Sequence, residues 1–134
     1  PEPSRPRFVE VFASPSARRV ARPKGTLPQP QGAFAPNASA VLTLELDGTL
    51  HLVALPSGQT RSPSERYQLA AFAPDGALIG VTLDGRVQHL DAADASTLAT
   101  LTQVHGRLHT PLVFSADSRS VVFATRTGVH LVTR

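Results

Sequence analysis

A pattern of about 40 residues recurs three times in this chain, and it constrains the fold more than any other feature of the sequence. The three copies begin at Phe34, Phe72 and Phe114, which are 38 and 42 residues apart. Within each copy, apolar and polar residues alternate with a period of two, which indicates β-strands rather than helices. A repeat of this length predicts a series of similar units, each stacked on the next.

The second copy shows the order of strands most clearly. Its predicted strands are Tyr67–Phe72, Ala77–Leu83, Arg86–Asp91 and Ser96–Thr102. Asp84-Gly85 between two apolar runs predicts a tight hairpin, and Asp47-Gly48 predicts the same turn in the first copy. Both central residues of the favoured two-residue turn need a positive φ, and Asp-Gly supplies them at low cost. Four short strands per copy are typical of a blade of a β-propeller.

We therefore predict an all-β fold, a partial β-propeller of consecutive four-stranded antiparallel blades. The predicted units are an extended lead-in at 1–7, a half blade at 8–25, and blades at 26–57, 58–93 and 94–134. Prolines keep the lead-in out of a central strand. Three and a half blades are fewer than the roughly four to eight of a closed ring, so the sequence predicts an open arc.

The three copies resemble known propeller families, the first of them in part, through Phe34–Pro36 (Phe-Ala-Pro) and Asp47–Leu50 (Asp-Gly-Thr-Leu). Phe72–Gly76 (Phe-Ala-Pro-Asp-Gly) and Asp84–Val87 (Asp-Gly-Arg-Val) resemble the WD-repeat family, and the third copy, with Phe114–Asp117, is similar to the TolB-like propellers of bacteria. The Trp-Asp pair that names the WD family is absent, and only its Asp is kept, at Asp91. The resemblance covers about residues 8–134. It implies a propeller fold and no particular function, because one fold hosts many functions.

The residues needed for common catalytic and metal chemistry are missing. The chain has no Cys, no Gly-X-Ser-X-Gly elbow and no glycine-rich phosphate loop, so we predict no enzyme activity and no cofactor. His51, His89 and His130 recur at similar places in the three copies, which spreads them over three blades, too far apart to share one metal ion. His105 and His109 lie in a loop without a third ligand, so we predict no metal site.

The charges and apolar runs restrict the class of partner. The formal net charge is +3, and the basic residues are spread along the chain except for a cluster at 18–24, so the sequence favours a protein partner over nucleic acid. No apolar run approaches the length of about 18 residues that a membrane span needs. The chain starts at Pro1 and contains no Met, so we expect a processed form or a piece of a longer polypeptide. The absence of Cys and the TolB-like copy together favour an exported or cell-envelope protein of a bacterium.

An open arc must leave an apolar face uncovered at each end. We expect these faces to carry Val9, Val11 and Phe12 at one end, and Val121, Phe123, Val129 and Leu131 at the other. The chain should then not be a free monomer: another copy, a different subunit or further blades of the same polypeptide should complete it.

We interpret the chain as a non-enzymatic protein-interaction module. The alternative is a segment of a larger propeller enzyme or ligand-binding protein, whose site is completed by missing blades or by a partner chain. In either case the resemblance implies that binding residues lie on the loops at one side of the blades. The candidates are Asp47, Glu65, Arg66, Tyr67, Asp84, Arg86, His105, Arg107, His109 and Arg126.

Overall fold

The computed structural model describes residues 7–13 and 18–134, and every regular element within them is a β-strand. The strands are β1 (Val11–Ala13), β2 (Arg18–Ala21), β3 (Ala40–Leu44), β4 (Leu50–Ala54), β5 (Thr60–Arg61), β6 (Tyr67–Phe72), β7 (Leu78–Thr82), β8 (Arg86–Leu90), β9 (Thr97–Gln103), β10 (Val113–Phe114), β11 (Ser120–Thr125) and β12 (Gly128–Thr133). Nearly all of the predicted lead-in at 1–7 lies outside the described residues. In these two ranges, no helix has the length and apolar character to cross a membrane. The prediction of an all-β fold is confirmed.

The strands form four antiparallel sheets that follow one another along the chain. We call β1-β2 the N-terminal hairpin, β3-β4-β5 the first sheet, β6-β7-β8-β9 the second sheet and β10-β11-β12 the third sheet. Strand β9 is hydrogen-bonded to β8, so the unit predicted at 94–134 begins with the outer strand of the second sheet. The N-terminal hairpin packs beside the first sheet, where Thr43 Oγ1 donates to the Lys24 carbonyl at 2.7 Å.

The first strand of two of the sheets is shorter than the sequence predicts. Phe34 makes only an isolated bridge to Val41, and Leu108 makes one to Thr125, where the four-strand pattern of the repeat predicts the first strand of each copy. Pro111 interrupts the second of these segments, because proline has no N–H to give to a ladder. Among the described residues the second sheet is the only four-stranded one, since no strand pairs with β3 on its other side and none pairs with β12 on its other side.

The Asp-Gly hairpins form by a different turn from the one predicted. Gly48 N–H donates to the Glu45 carbonyl, and Gly85 N–H donates to the Thr82 carbonyl, each at 3.0 Å. The two central residues of each turn are therefore Leu and Asp, and glycine follows them with φ of 93° at Gly48 and 89° at Gly85. The prediction that Asp and Gly are the central pair is wrong. A three-residue loop of this kind needs a positive φ only at its last residue.

Two apolar clusters hold the three sheets together, one in each gap. Side chains of the first sheet, with Leu42 and Leu50 among them, pack on Leu78 and Leu90 of the second sheet. The second gap holds residues of both sheets that flank it, namely Ile79, Val81, Val87, Val121, Phe123 and Val132. Val121 and Phe123 thus face the second sheet, and not the open end as predicted. We call the face of each sheet that is turned toward the next sheet in chain order its forward face.

Strand pairing corrects the alignment of the histidines. Leu42 pairs with Leu52 in the first sheet, Ile79 with His89 in the second and Val122 with Leu131 in the third. These three pairs occupy equivalent positions on the forward faces. His89 therefore lies one residue beyond the position shared by His51, Gln88 and His130: it follows Gly85 by four residues, whereas His51 follows the equivalent Gly48 by three.

Candidate functional site

A cleft of about 650 Å³ lies where the first strands of the sheets converge. Loops of all three sheets line it, and the sequence predicts four of these residues as binding residues: Asp47, Tyr67, Arg107 and His109. The cleft combines apolar walls, such as Leu44 and Leu108, with polar groups at its rim. Concave sites of this size are the usual place for ligands in a protein.

The rim on the first and second sheets is a chain of ion pairs. Arg66 lies 2.8 Å from Asp47, and Arg86 lies 2.6 Å from Glu65 and 3.1 Å from Asp84. The hydroxyl of Thr82 donates to Asp84, and this bond, together with Arg86, lowers the pKa of that carboxyl. These five predicted residues are brought together by the fold, and each finds its counter-charge within the chain.

Tyr67 differs from the other predicted site residues because its side chain belongs to the core. It is almost fully buried, and its hydroxyl donates to Oε1 of Gln88 at 3.0 Å. Burial raises the pKa of Tyr67. Gly80 leaves the room for its ring, since a Cβ there would lie 2.7 Å from Cε1. Tyr67 thus lines the cleft while its hydroxyl is bonded inside the core.

The predicted residues of the third sheet lack the counter-charges found on the other two. Arg107 and His109 line the cleft, while His105 and Arg126 lie outside its lining. In the part of the chain that the structure describes, no salt bridge joins Arg107 or Arg126 to a carboxylate. The rim is therefore neutralised over two sheets and positive over the third.

Two glutamines that sequence reasoning missed tie the third sheet to the rest of the arc. Gln29 is buried, its amide nitrogen donates to the Leu112 carbonyl at 3.0 Å, and its amide oxygen accepts from Leu112 N–H at 2.9 Å. Gln68 accepts from Leu108 N–H at 3.0 Å. In the sequence, nothing distinguishes a buried glutamine beside a short strand from an exposed glutamine. Only the hydrogen bonds of the folded chain show the role of these two amides.

A second polar network at the first sheet was also missed. His51 lies 2.6 Å from Glu45 through Nε2 and 2.6 Å from the Ser62 hydroxyl through Nδ1. Lys24 approaches the same carboxylate at 3.3 Å. The hydrogen bond from His51 lowers the pKa of Glu45. Both ring nitrogens of His51 have protein partners, which favours a structural role for this residue.

The forward face of the third sheet is a separate candidate surface. The equivalent forward-face residues are Leu42, Leu50 and Leu52 in the first sheet, Ile79, Val87 and His89 in the second, and Val122, Val129 and Leu131 in the third. The apolar ones are at most 3% exposed in the first two sheets, but Val122 is 37%, Leu131 is 69% and Val129 is 76% exposed. The third sheet thus carries a core-type face with no described residue covering it.

The metal chemistry of the described residues is limited. Among residues 7–13 and 18–134, no group of three or more His, Cys, Asp or Glu side chains lies close enough to hold a metal ion. His130 stacks on Phe123, with ring centroids 5.5 Å apart, and its Nε2 lies 2.9 Å from the Thr125 hydroxyl. That ring, like His51, is engaged within its own sheet.

No protein-family model matches the chain, and no curated protein matches its sequence. Solved structures do match. BamB from Moraxella catarrhalis is similar with a TM-score of 0.64 and 15% identity over 94% of this chain and 39% of that chain. The dihydro-heme d1 dehydrogenase NirN in complex with DHE has a TM-score of 0.58 and 16% identity over the same shares of the two chains.

The computationally designed Ika4 protein is also similar, with a TM-score of 0.56 and 21% identity over 71% of this chain and 60% of that chain. BamB and NirN are β-propeller proteins, so these likenesses support the prediction of a partial β-propeller. The chain spans between 39% and 60% of the solved chains named here. At these identities the likeness concerns the fold alone.

Proposed function

We propose that this chain is a non-enzymatic protein-interaction module, in which the forward face of the third sheet binds the sheet of a protein partner. The observation that carries the proposal is the exposure of Val122, Val129 and Leu131 at positions whose equivalents are buried in the other two sheets. Contiguous exposed apolar surface of this kind marks interaction sites in soluble proteins. The two gaps within the chain provide the model for such a contact, an apolar face against an apolar face.

The proposal includes membership of a particular propeller family, the WD-repeat or the TolB-like proteins. The repeated Phe-Ala-Pro and Asp-Gly elements support membership of the WD-repeat or TolB-like propellers. We also propose an exported or cell-envelope location in a bacterium, which the TolB-like third copy supports. Fractionation of the native source, with an antibody against the chain, tests the location: recovery from the cytoplasmic fraction alone would contradict it.

The experiment that tests the interaction is affinity capture from the native source with the chain as bait. Leu131→Asp places a charge on the forward face. Leu98→Asp is the matched control, since Leu98 is 57% exposed on the outer strand β9. We expect a partner that binds the wild type and the control but not the Leu131→Asp variant. A set of captured proteins that is identical for all three baits contradicts the proposal.

Light scattering of the purified chain provides a second test. At micromolar concentration we expect the wild type to associate through its uncovered face and Leu131→Asp to do so less. A wild-type chain that stays monomeric, with a cooperative melt, would show that the face is stable in water and needs no partner.

The cleft supports the alternative function, a ligand-binding segment of a larger propeller. Its volume of about 650 Å³ suits a small molecule. Arg107 brings positive charge to it, while Arg66 and Arg86 form the ion pairs of its rim. Alanine at all three positions tests whether this rim binds a partner or ligand. Unchanged affinity of the captured partner would assign binding to the forward face, whereas loss of a small-molecule ligand with the partner retained would assign the cleft to the ligand.

A further inference from the structure

The cleft has exposed apolar side chains at its rim that the core does not use. Leu46 and Leu83 occupy equivalent positions, since each is the first central residue of an Asp-Gly hairpin turn, and both line the cleft. Leu46 is 84% exposed and Leu83 is 55% exposed. Leucines at the tips of turns contribute little to the core, and two of them beside one cavity offer apolar area to a ligand.

Another wall of the cleft is formed in advance of any ligand. Residues at 26–30 contribute this wall. Pro28 and Pro30 restrict the backbone there, because the proline ring fixes φ. Gln29 between them is buried and bonds both backbone groups of Leu112, which holds the wall against the third sheet. A wall that is already ordered lowers the entropic cost of binding.

The second and third copies differ in the residues that lead into their sheets. In the second copy, Tyr67 donates its N–H to the glycine carbonyl of the preceding hairpin at 2.8 Å and also pairs with Thr82 of its own sheet. In the third copy, two residues divide these contacts: Val104 donates to the preceding hairpin at 2.9 Å, and Leu108 pairs with Thr125. The third copy therefore has four additional residues at this point.

Arg107 is the last of these additional residues, and it lines the cleft with an exposed side chain. Arg66 holds the equivalent place in the second sheet and pairs with Asp47 of the preceding hairpin. At the next hairpin, Gln103 makes the corresponding contact, since its amide donates to the Asp84 carbonyl at 3.0 Å. Among the residues that the structure describes, no carboxylate forms a salt bridge with Arg107.

The two carboxylates that line the cleft already have partners. Glu45 lies 2.6 Å from His51 and 3.3 Å from Lys24, and Asp47 lies 2.8 Å from Arg66. The cleft therefore presents apolar surface together with one guanidinium that lacks a counter-charge, which favours a ligand with a negative group.

We propose that the cleft binds a small amphipathic anion, whose apolar body lies against Leu46 and Leu83 and whose anionic group, such as a carboxylate, pairs with Arg107. The forked donors of arginine match a carboxylate in shape as well as in charge. This inference rests on the ligand-binding alternative proposed above and names the class of its ligand. Every residue that lines the cleft lies between Thr26 and Pro111, so neither β1 nor β12 contributes to the site.

Two fluorescent probes with the same apolar rings test the assignment. Anilinonaphthalene sulfonate is an anion, and phenylnaphthylamine is its uncharged counterpart. Both are titrated into the 134-residue chain at low and high salt, and decanoate or decyltrimethylammonium then competes with the sulfonate. The variants are Arg107→Gln and the double variant Leu46→Ser with Leu83→Ser. Arg119→Gln and Leu98→Ser are the matched controls, because both residues are exposed and lie outside the cleft lining.

The forward face of the third sheet also offers apolar area to such probes, so the readout is the response to substitutions in the cleft. We expect Arg107→Gln to weaken binding of the sulfonate roughly tenfold at low salt and less at high salt, with the uncharged probe changed by less than about twofold. The leucine double variant should weaken both probes roughly fivefold, because it removes apolar contact area. Decanoate should displace the sulfonate, and decyltrimethylammonium should not.

Equal affinity of wild type and Arg107→Gln for the sulfonate overturns the anionic assignment. Unchanged affinity of the leucine double variant for both probes, or an equal loss in the controls, overturns the cleft as the site. If a native small molecule is lost from the triple alanine variant while the sulfonate ignores Arg107→Gln, the ligand-binding alternative stands and the ligand class is wrong.

The same measurements separate this inference from the interaction function. If neither probe responds to the cleft substitutions while the captured partner still depends on Leu131, the ligand inference fails and the interaction function stands. If the probes respond as expected and no captured protein depends on Leu131, the ligand class is established and the forward face is not the binding surface.

Discussion

The second and third sheets are built from the same repeat, yet one is buried on both faces and the other on one. Val87 and Val129 illustrate the difference, since they occupy equivalent positions on β8 and β12. Val87 is fully buried, whereas Val129 is 76% exposed. The sequence pattern around both is that of a core strand. A repeat therefore encodes a face suited to burial, while the neighbouring sheet determines whether burial occurs.

The same contrast holds for polar groups. The rim of the first and second sheets is neutralised by ion pairs such as Arg66 with Asp47 and Arg86 with Glu65. At the third sheet, Arg107 and Arg126 have no such pair among the described residues. The third sheet therefore has both an uncovered apolar face and arginines without a carboxylate partner among the described residues, which are two features of a binding surface.

A charged substitution at the two equivalent valines should give the largest difference in stability between the second and third sheets. Val87→Asp buries a carboxylate without a partner and should cost about 4 kcal/mol or more of unfolding free energy, enough to unfold a marginal domain. Val129→Asp should change the free energy of unfolding by less than about 0.5 kcal/mol. Urea denaturation followed by circular dichroism measures both. Similar losses for the two variants would mean that Val129 is covered in solution.

The hairpin glycines form a second matched pair. A Cβ at Gly85 would lie 2.0 Å from the Val104 carbonyl oxygen, with φ at 89°, whereas a Cβ at Gly128 would meet nothing within 4 Å. We expect Gly85→Ala to cost about 3 kcal/mol through overlap and backbone strain, and Gly128→Ala about 1 kcal/mol through strain alone. Thermal melts of the two variants test the order. A larger loss at Gly128 would contradict the assigned contact.

Removing the Gln29 amide should loosen the third sheet specifically. Gln29→Leu leaves both backbone groups of Leu112 without their partner, and we expect a loss of about 2 kcal/mol. Hydrogen exchange should quicken in β10 and β11 and stay slow in β7. Gln103→Leu, at an exposed residue with one hydrogen bond to the Asp84 carbonyl, is the control. Uniform quickening of all sheets would show that the third sheet does not open separately.

The weakest expected effect concerns the ion pair between the second and third sheets. Ala77 N–H and then Arg134 lower the pKa of Asp75, so this carboxylate stabilises the fold above its unfolded pKa. Its contribution is lost as pH falls below about 4, through the lowered pKa of the folded state. Arg134→Ala should reduce the acid dependence of the melting temperature by an amount worth less than about 1 kcal/mol. An identical pH profile for Arg134→Ala and wild type would exclude the pairing in solution.

Much of the candidate site could be predicted because it follows the repeat. The loop residues Asp47, Arg66, Asp84 and Arg86 recur beside hairpins whose positions the Asp-Gly pairs mark, and the structure brings them together at the rim. Tyr67 was placed among them by its position at the start of a strand. Its ring lies in the core instead, because Gly80 on the adjacent strand leaves a space for it.

The sequence by itself determined the all-β fold, the order of the strands and the number of repeats, because local alternation and turn residues act over a few neighbours. The tertiary structure alone decided the link from Gln29 to Leu112, which joins residues 83 positions apart. It also decided which face of the third sheet stays exposed: Val121 and Val122 are adjacent and equally apolar, and only the position of the second sheet distinguishes them.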